Sequence, residues 1–263
     1  MSQKCHSLLL DGRGRQTAQL ATLAYDFQRA HLIPEHIHPE DQLIFASKGV
    51  MTVRTKQGIW VVPPLRAVWI PAKTPHSVAI PGPVSMRTLY FAPKLVRAQT
   101  EKCFVMNVSA LLRELILHAC KFPKLKREEP VQRRIIEMIA DQLQAVHSIP
   151  LQLPHPTDRR AMRVAHALLS DPGRQRTLAA LCEDCGASKR TIERLFLAET
   201  KMTFSQWRQQ LRLLHAMQLL ASGEKVTGAA MDAGYSSPSA FIAMFRRQLG
   251  QTPRRYFAQR SFP

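Results

Sequence analysis

Short apolar runs and long amphipathic ones divide the chain. The hydrophobic positions first fall in brief stretches, Gln42–Ser47, Val50–Thr55, Ile59–Val62, Ala67–Ile70, Ser77–Ile80 and Met86–Phe91, each of strand length. Proline and glycine punctuate them: nine of the eighteen prolines lie between Pro34 and Pro93, and Lys56-Gln57-Gly58 supplies a hairpin turn. Many short strands bounded in this way predict an antiparallel sandwich or barrel. After Pro93 the period changes. Leu111, Leu112, Leu115 and Ala119 recur at helical spacing, as do Ile135, Ile136, Ile139 and Leu143, which predicts two amphipathic helices.

Residues 148–157 hold three prolines within seven positions, so this stretch cannot propagate a helix and makes a poor central strand. It reads as a linker. From Asp158 to about Arg260 helical patterns with capping residues fill the chain and nothing reads as strand. The predicted organisation is a β-domain over 1–100, a helical segment over 101–147, the linker over 148–157, and an all-α domain over 158–263.

Inside the last domain a unit occurs twice. Thr177 opens a helix as its N-cap, and Gly186 closes it where a left-handed backbone is cheapest. Ser188 then caps a second helix whose Ile192, Leu195 and Phe196 share one face, leaving Lys189, Arg190, Glu193 and Arg194 outward. The pattern returns with Thr227, Gly234, Ser237, Pro238, Ser239, Ile242 and Phe245; Pro238 is tolerable because first-turn N–H groups lack intrahelical partners. Phe196 answers to Phe245, Thr203 to Thr252 and Trp207 to Tyr256 at one offset of 49, while the turn glycines differ by 48. The second turn has gained one residue. Helix, short turn and a second helix with polar residues at its exposed start is what major-groove reading requires. The two units, 177–197 and 226–247, are joined by one long helical pattern from Phe204 to Ala221. Its length of roughly 27 Å is comparable with a ~34 Å turn of DNA, so the two heads can enter successive major grooves.

With its spaced duplication, Gly186-Ala-Ser-Lys-Arg-Thr-Ile-Glu-Arg-Leu-Phe196 and Gly234-Tyr-Ser-Ser-Pro-Ser-Ala-Phe-Ile-Ala-Met-Phe-Arg246, followed by Thr252-Pro-Arg-Arg-Tyr256, resembles the DNA-binding domain of the AraC/XylS family of transcriptional regulators. Two positions depart from that family: Lys201 stands where glycine is usual, and Ala243 where arginine is frequent. The first predicts loss of a helix-terminating residue, the second of a DNA contact. Arg194 and Arg190 are then expected to donate to guanine and Glu193 to accept from cytosine, so that the first helix carries most base discrimination. Ser237, Pro238, Ser239, Ile242 and Arg246 would supply mainly backbone and apolar contacts. Lys189 belongs to the same reading face.

Composition adds a partner class. Hydrophobic residues are 45% and charged residues 21%, which excludes wholesale disorder, while 37 Lys+Arg against 19 Asp+Glu gives +18 and calls for a polyanion. Each half, cut at residue 156, carries +9, so charge does not by itself locate the binding domain. Five scattered cysteines, Cys5, Cys103, Cys120, Cys182 and Cys185, read as reduced thiols. With no run long enough for a membrane span and too short an apolar start for a signal peptide, a cytoplasmic protein is expected.

Candidate metal chemistry lies in the β-domain. His36 and His38 project to one face of a strand, and His76 in a later strand can join them. Three imidazoles with an oxygen ligand suit Zn, Fe, Ni or Mn. Residues 20–93 resemble the cupin pattern, with Gln42 where metal-dependent cupin enzymes carry glutamate. The resemblance implies a small-molecule-sensing barrel, with His36, His38, Gln42 and His76 forming either a divalent-metal site or a metal-free effector pocket that Trp60 and Trp69 can line. No cofactor is required, and a neutral amide cannot serve as a carboxylate base. Cys182 and Cys185 have metal spacing without a second pair, so one packed and one half-exposed thiol are expected. The basic run Lys121–Arg127 reads as a solvated loop.

The fold class predicted is multidomain α+β: an N-terminal cupin-like antiparallel barrel with following helices, then an all-α domain with two helix-turn-helix motifs. The function expected is a sequence-specific regulator, activator or repressor, that answers a small molecule and controls a neighbouring transporter or catabolic gene. Its partners would be promoter DNA, RNA polymerase by family resemblance, and a second copy docked through Leu111, Leu112, Leu115, Ile135 and Ile139. A metal-dependent cupin enzyme with an accessory helical domain is the alternative.

Overall fold

The structure, a computed structural model, describes residues 3–4, 8–9, 18–96, 102–144, 148–149 and 151–258; Cys5 lies outside them. The chain forms two compact units, Met1–Lys56 with Trp60–Gln152, and Gln57–Ile59 with Leu153–Pro263.

The first unit contains β1 (Gln3–Lys4), β2 (Leu20–Phe27), β3 (His31–Ile37), β4 (Asp41–Lys48), β5 (Met51–Thr55), β6 (Gly58–Val62, of which Trp60, Val61 and Val62 lie in the unit), β7 (Arg66–Ile70), β8 (His76–Ile80), β9 (Val84–Phe91) and β10 (Phe104–Asn107). Then come α1 (Ala110–Ala119), β11 (Lys124–Leu125), α2 (Pro130–Gln144) and β12 (Ser148–Ile149). One sheet runs β1-β3-β8-β5-β6 and the other β11-β2-β9-β4-β7-β10-β12. Neighbours in the second sheet are antiparallel, for instance Leu43 opposite both Trp69 and Leu89.

β4 is buried without a break from Gln42 to Ala46, because its sheet is covered on both faces. Gln42 and Ile44 face a cavity between the two sheets, whereas Leu43 and Phe45 face the helices. β9 alternates in the same sense: Met86 and Tyr90 line the cavity, Leu89 and Phe91 the helical side. The apolar stripes of α1 and α2 are spent on that second face. Leu112, Ile116, Ile136 and Ile139 are at most 1% exposed in a core with Trp69 and Phe91.

The second unit contains β13 (Gln152–Pro154, of which Leu153 and Pro154 lie in the unit), α3 (Arg159–Ser170), α4 (Leu178–Cys185), α5 (Lys189–Thr200), α6 (Phe204–Ala221), α7 (Val226–Asp232), α8 (Pro238–Leu249) and α9 (Pro253–Ala258). The sequence repeat reappears as a repeated ring contact. Phe196 meets Trp207 edge-on at 5.2 Å, and Phe245 meets Tyr256 edge-on at 5.6 Å. Thr203 and Thr252 recur because each accepts a backbone N–H at the start of the helix that follows, Gln206 and Arg255 donating.

The boundary between the two units, at Gln152/Leu153, falls within the stretch expected as a linker, which is more structured than that reading implies. Residues 148–157 include two short strands, and Leu151 and Leu153 are each 1% exposed. Prolines are admissible here because edge positions need no complete ladder. The Trp207 indole donates to the Pro154 carbonyl at 2.8 Å, and Glu199 accepts from the Thr157 and Asp158 N–H groups, which anchors the segment to the helical unit. The basic run is likewise more ordered than a loop: Lys124–Leu125 pairs with β2, and Leu125 is fully buried.

Candidate effector cavity and nucleic-acid interface

The cavity between the sheets measures about 450 Å³ and is mostly apolar, with Leu23, Tyr25, Phe27, Ile33, Ile44 and Met86 around a polar end. That end holds the histidines. His36 on β3 stands opposite His76 on β8, and a bulge at Pro34–Glu35 sets that register. Lys73 donates to the His38 carbonyl at 2.9 Å and Ala72 to the Asp41 carboxylate at 2.8 Å, fixing the loop that leads into His76. The ring centroids of His36 and His76 are 4.2 Å apart, those of His38 and His76 5.2 Å.

All three rings are held by the same device. Each Nδ1 lies 2.8–2.9 Å from a backbone carbonyl, of Pro34, Glu40 and Thr74 for His36, His38 and His76 respectively. A carbonyl only accepts, so each Nδ1 carries a hydrogen, which in the neutral form of the ring leaves Nε2 bare. Burial holds the His76 imidazole down to about 3 and lowers His38 as well, so both are neutral at neutral pH. The potential ligand atoms of the three lie within 4.8 Å of one another.

This donor set fits a divalent ion. His76 Nε2 is buried without a hydrogen-bond partner. His38 Nε2 lies 3.1 Å from the Gln42 amide oxygen, whose nitrogen donates to Thr88 Oγ1 at 3.0 Å. A separation of 3.1 Å suits two ligands each about 2.1 Å from one ion. The sequence reading missed Glu40 and Tyr90. Glu40 is 2% exposed with a carboxylate oxygen 3.8 Å from His38 Nδ1, and the Tyr90 ring meets His38 edge-on at 5.2 Å. Only the position of Glu40, between His38 and Gln42, hinted at it. Trp60 and Trp69 do not line the cavity; Trp69 packs in the helix-facing core instead.

In the second unit the capping scheme builds the reading heads. Thr177, Ser188 and Ser237 accept from the N–H groups of Ala180, Thr191 and Ala240, each at 3.2 Å. Gly186 ends α4 with φ 68°, in the left-handed region expected of it. On α5, Lys189, Arg190, Glu193 and Arg194 are all exposed, and Leu197 extends the same face at 53% exposure. Leu197 was not anticipated, since an isolated leucine in a helical pattern reads as core. On α8, Ser239, Ala243 and Arg246 are exposed and Ser237, Pro238 and Ile242 half-buried. Ser237 is committed to capping, and Pro238 occupies the first turn.

Three further expectations are revised. Lys201 does not cost the helix its end: α5 stops there with the lysine itself left-handed, φ 60°, and its ammonium donating to the Ala198 carbonyl at 2.8 Å. Cys182 and Cys185 are both buried, 7% and 3% exposed, rather than one packed and one half-exposed. Of the five residues assigned to a dimer contact, Leu112, Ile135 and Ile139 are buried within the chain, Leu115 is half-buried, and Leu111 alone is exposed.

Known proteins share this arrangement. A model described as an AraC-like ligand binding domain matches residues 19–153, and one described as a helix-turn-helix domain matches 181–259. The HTH-type transcriptional regulator NimR of Escherichia coli (strain K12) is 36% identical over 226 residues, covering 86% of this chain and 82% of NimR. The chain belongs to the AraC family. Another AraC-family relative, the HTH-type transcriptional activator RhaR of Klebsiella pneumoniae, is 33% identical over 103 residues, 38% of this chain and 37% of RhaR. Among solved structures, ToxT from Vibrio cholerae O395 aligns over 93% of this chain and 99% of its own, at 14% identity and a TM-score of 0.41. AraC-family membership makes the chain a DNA-binding transcriptional regulator with an N-terminal ligand-binding domain, and the cupin-enzyme alternative finds no support among these relatives. Among the described residues no helix is long and apolar enough to cross a membrane.

Proposed function

We propose that this regulator binds promoter DNA through α5 and α8 in successive major grooves and changes its action when a small, largely apolar molecule enters the cavity of the first unit. The observation that carries this reading is the pairing, in one chain, of a duplicated reading head with a cavity of about 450 Å³ whose apolar wall ends in neutral imidazoles. A ligand regulates only by binding two states of the protein with different affinity. The proposal includes a second copy of the chain and RNA polymerase as partners, and a neighbouring transporter or catabolic gene as target, as the family resemblance implies.

Base discrimination is assigned chiefly to α5. Arg194→Ala should cost about 1–3 kcal/mol on the preferred site and relax base preference there, whereas Ser239→Ala should weaken all sequences alike. Binding-site selection with both variants checks this; a uniform loss for Arg194→Ala with relaxed preference for Ser239→Ala would reverse the assignment.

His36, His38, His76 and Gln42 are proposed to hold a divalent ion, which when bound would supply a Lewis-acidic anchor for the polar end of the effector. Dialysis against zinc followed by metal quantification should find a stoichiometric ion in the wild type and none in His76→Ala. Equal metal in both, or none in either, contradicts the site.

A further inference from the structure

The second unit contains another cavity, of about 580 Å³, that the reading helices leave unexplained. Its wall is made by Gln175, Arg176 and Thr177 ahead of α4, by Phe204, Arg208 and Arg212 along α6, and by Gly234–Ser236 in the turn of the second motif. Thr177 caps the first helix of the first motif, and Ser236 precedes the cap of α8. The cavity therefore lies where the first motif begins and the second reading helix begins.

Its charge is one-sided. Arg208 and Arg212 are one helical turn apart, which puts both on the same wall. Among the described residues neither has an ion-pair partner, and the Nε of each is buried without a hydrogen-bond acceptor. Arg208 donates from its terminal nitrogen to the Arg174 carbonyl at 3.2 Å. Burial, then the charge of Arg212, pulls the Arg208 guanidinium below its ordinary range. Arg176, by contrast, is paired with Asp184. The backbone makes room for this arrangement. A Cβ on Gly234, whose φ is 80°, would come within 2.6 Å of the Gly173 carbonyl oxygen and 3.2 Å of the Arg212 guanidinium.

Two guanidinium groups with buried, unmatched donors call for an anion with several acceptor oxygens in a planar or tetrahedral array, which phosphate provides. Helices that read successive major grooves on one face straddle the intervening minor groove and the two phosphate strands that border it. We propose that this cavity is a phosphate site, occupied by a DNA phosphodiester of a strand bordering the minor groove between the major grooves read by α5 and α8. The proposal rests on the DNA-binding assignment of this unit, and it adds a contact that carries affinity without sequence preference.

The test uses the full chain with duplexes spanning two major grooves, one from its own upstream intergenic DNA and one scrambled, titrated over a salt series. Arg208→Gln and Arg212→Gln should each weaken both duplexes by about tenfold, keep the ratio between them, and lower the slope of log affinity against log salt by about one. Arg208→Lys should restore much of the slope. Unchanged slopes in folded variants overturn the proposal. A second measurement varies the DNA: single methylphosphonate linkages are placed along the duplex and bound by the wild type and by Arg212→Gln. One linkage between the two grooves should weaken the wild type but leave Arg212→Gln unaffected; equal losses in both proteins overturn the assignment. Stabilisation of the DNA-free chain by inorganic phosphate, lost in Arg212→Gln while its salt slope stays unchanged, would make this a free-anion site and overturn the DNA occupant. A wild type with no salt-dependent DNA affinity would remove the DNA-binding reading itself.

Discussion

Lys201 shows how a single residue can break a local rule and leave the fold intact. Left-handed backbone costs a non-glycine residue about 1–2 kcal/mol, and here one side-chain hydrogen bond to Ala198 offsets part of that. Lys201→Gly should raise stability by about 1 kcal/mol, read as a higher midpoint in thermal denaturation; a lower midpoint would mean the ammonium contact outweighs the strain. Residues whose roles are local were legible in the sequence. Thr177, Ser188, Gly186 and Pro238 follow from capping chemistry within a few positions. The histidines were legible because a two-residue spacing puts two imidazoles on one strand face. Glu40, Tyr90 and Leu197 were not: Glu40 acquires meaning from the turn between β3 and β4 that buries it at the cavity, Tyr90 from strand pairing across the sheet, and Leu197 from which face of α5 the unit leaves uncovered.

The elements divide in the same way. The six strands expected from the apolar runs match β4 to β9 to within two residues at each end, because each run is flanked by its own turn signal. β2, β10 and the start of β3 were missed, β10 lying within the stretch expected to be helical; β3 is a segment of exposed and half-buried residues that contains a proline, and only its histidine end was read as strand. The helices α1 and α2 were found by period, but period does not say what an apolar face packs against. Leu112 is fully buried against the sheet. Leu112→Ala should therefore destabilise the first unit by about 2–5 kcal/mol in a denaturant titration. Had it served a contact between copies, the variant would instead dissociate at unchanged unfolding midpoint, which sedimentation would detect.

For the whole molecule, the repeat was the decisive signal, because it spans both motifs and fixes their spacing through α6. The equivalent pairs Phe196–Trp207 and Phe245–Tyr256 explain why that spacing repeats: each motif closes on an aromatic carried by the helix after it. Bare DNA affinity says little for a chain of net charge +18, since phosphate contacts alone supply non-specific binding. The measurement that tests the central claim is therefore a ratio: affinity for the chain's own upstream intergenic DNA over an equal length of scrambled DNA at about 0.15 M salt, where specific sites are typically ~10³-fold or more tighter. A ratio of that order, with protection over two adjacent major grooves, is the predicted result. Equal affinity for the two DNAs, unchanged when ligand or zinc fills the cavity, would contradict a sequence-reading regulator of this promoter.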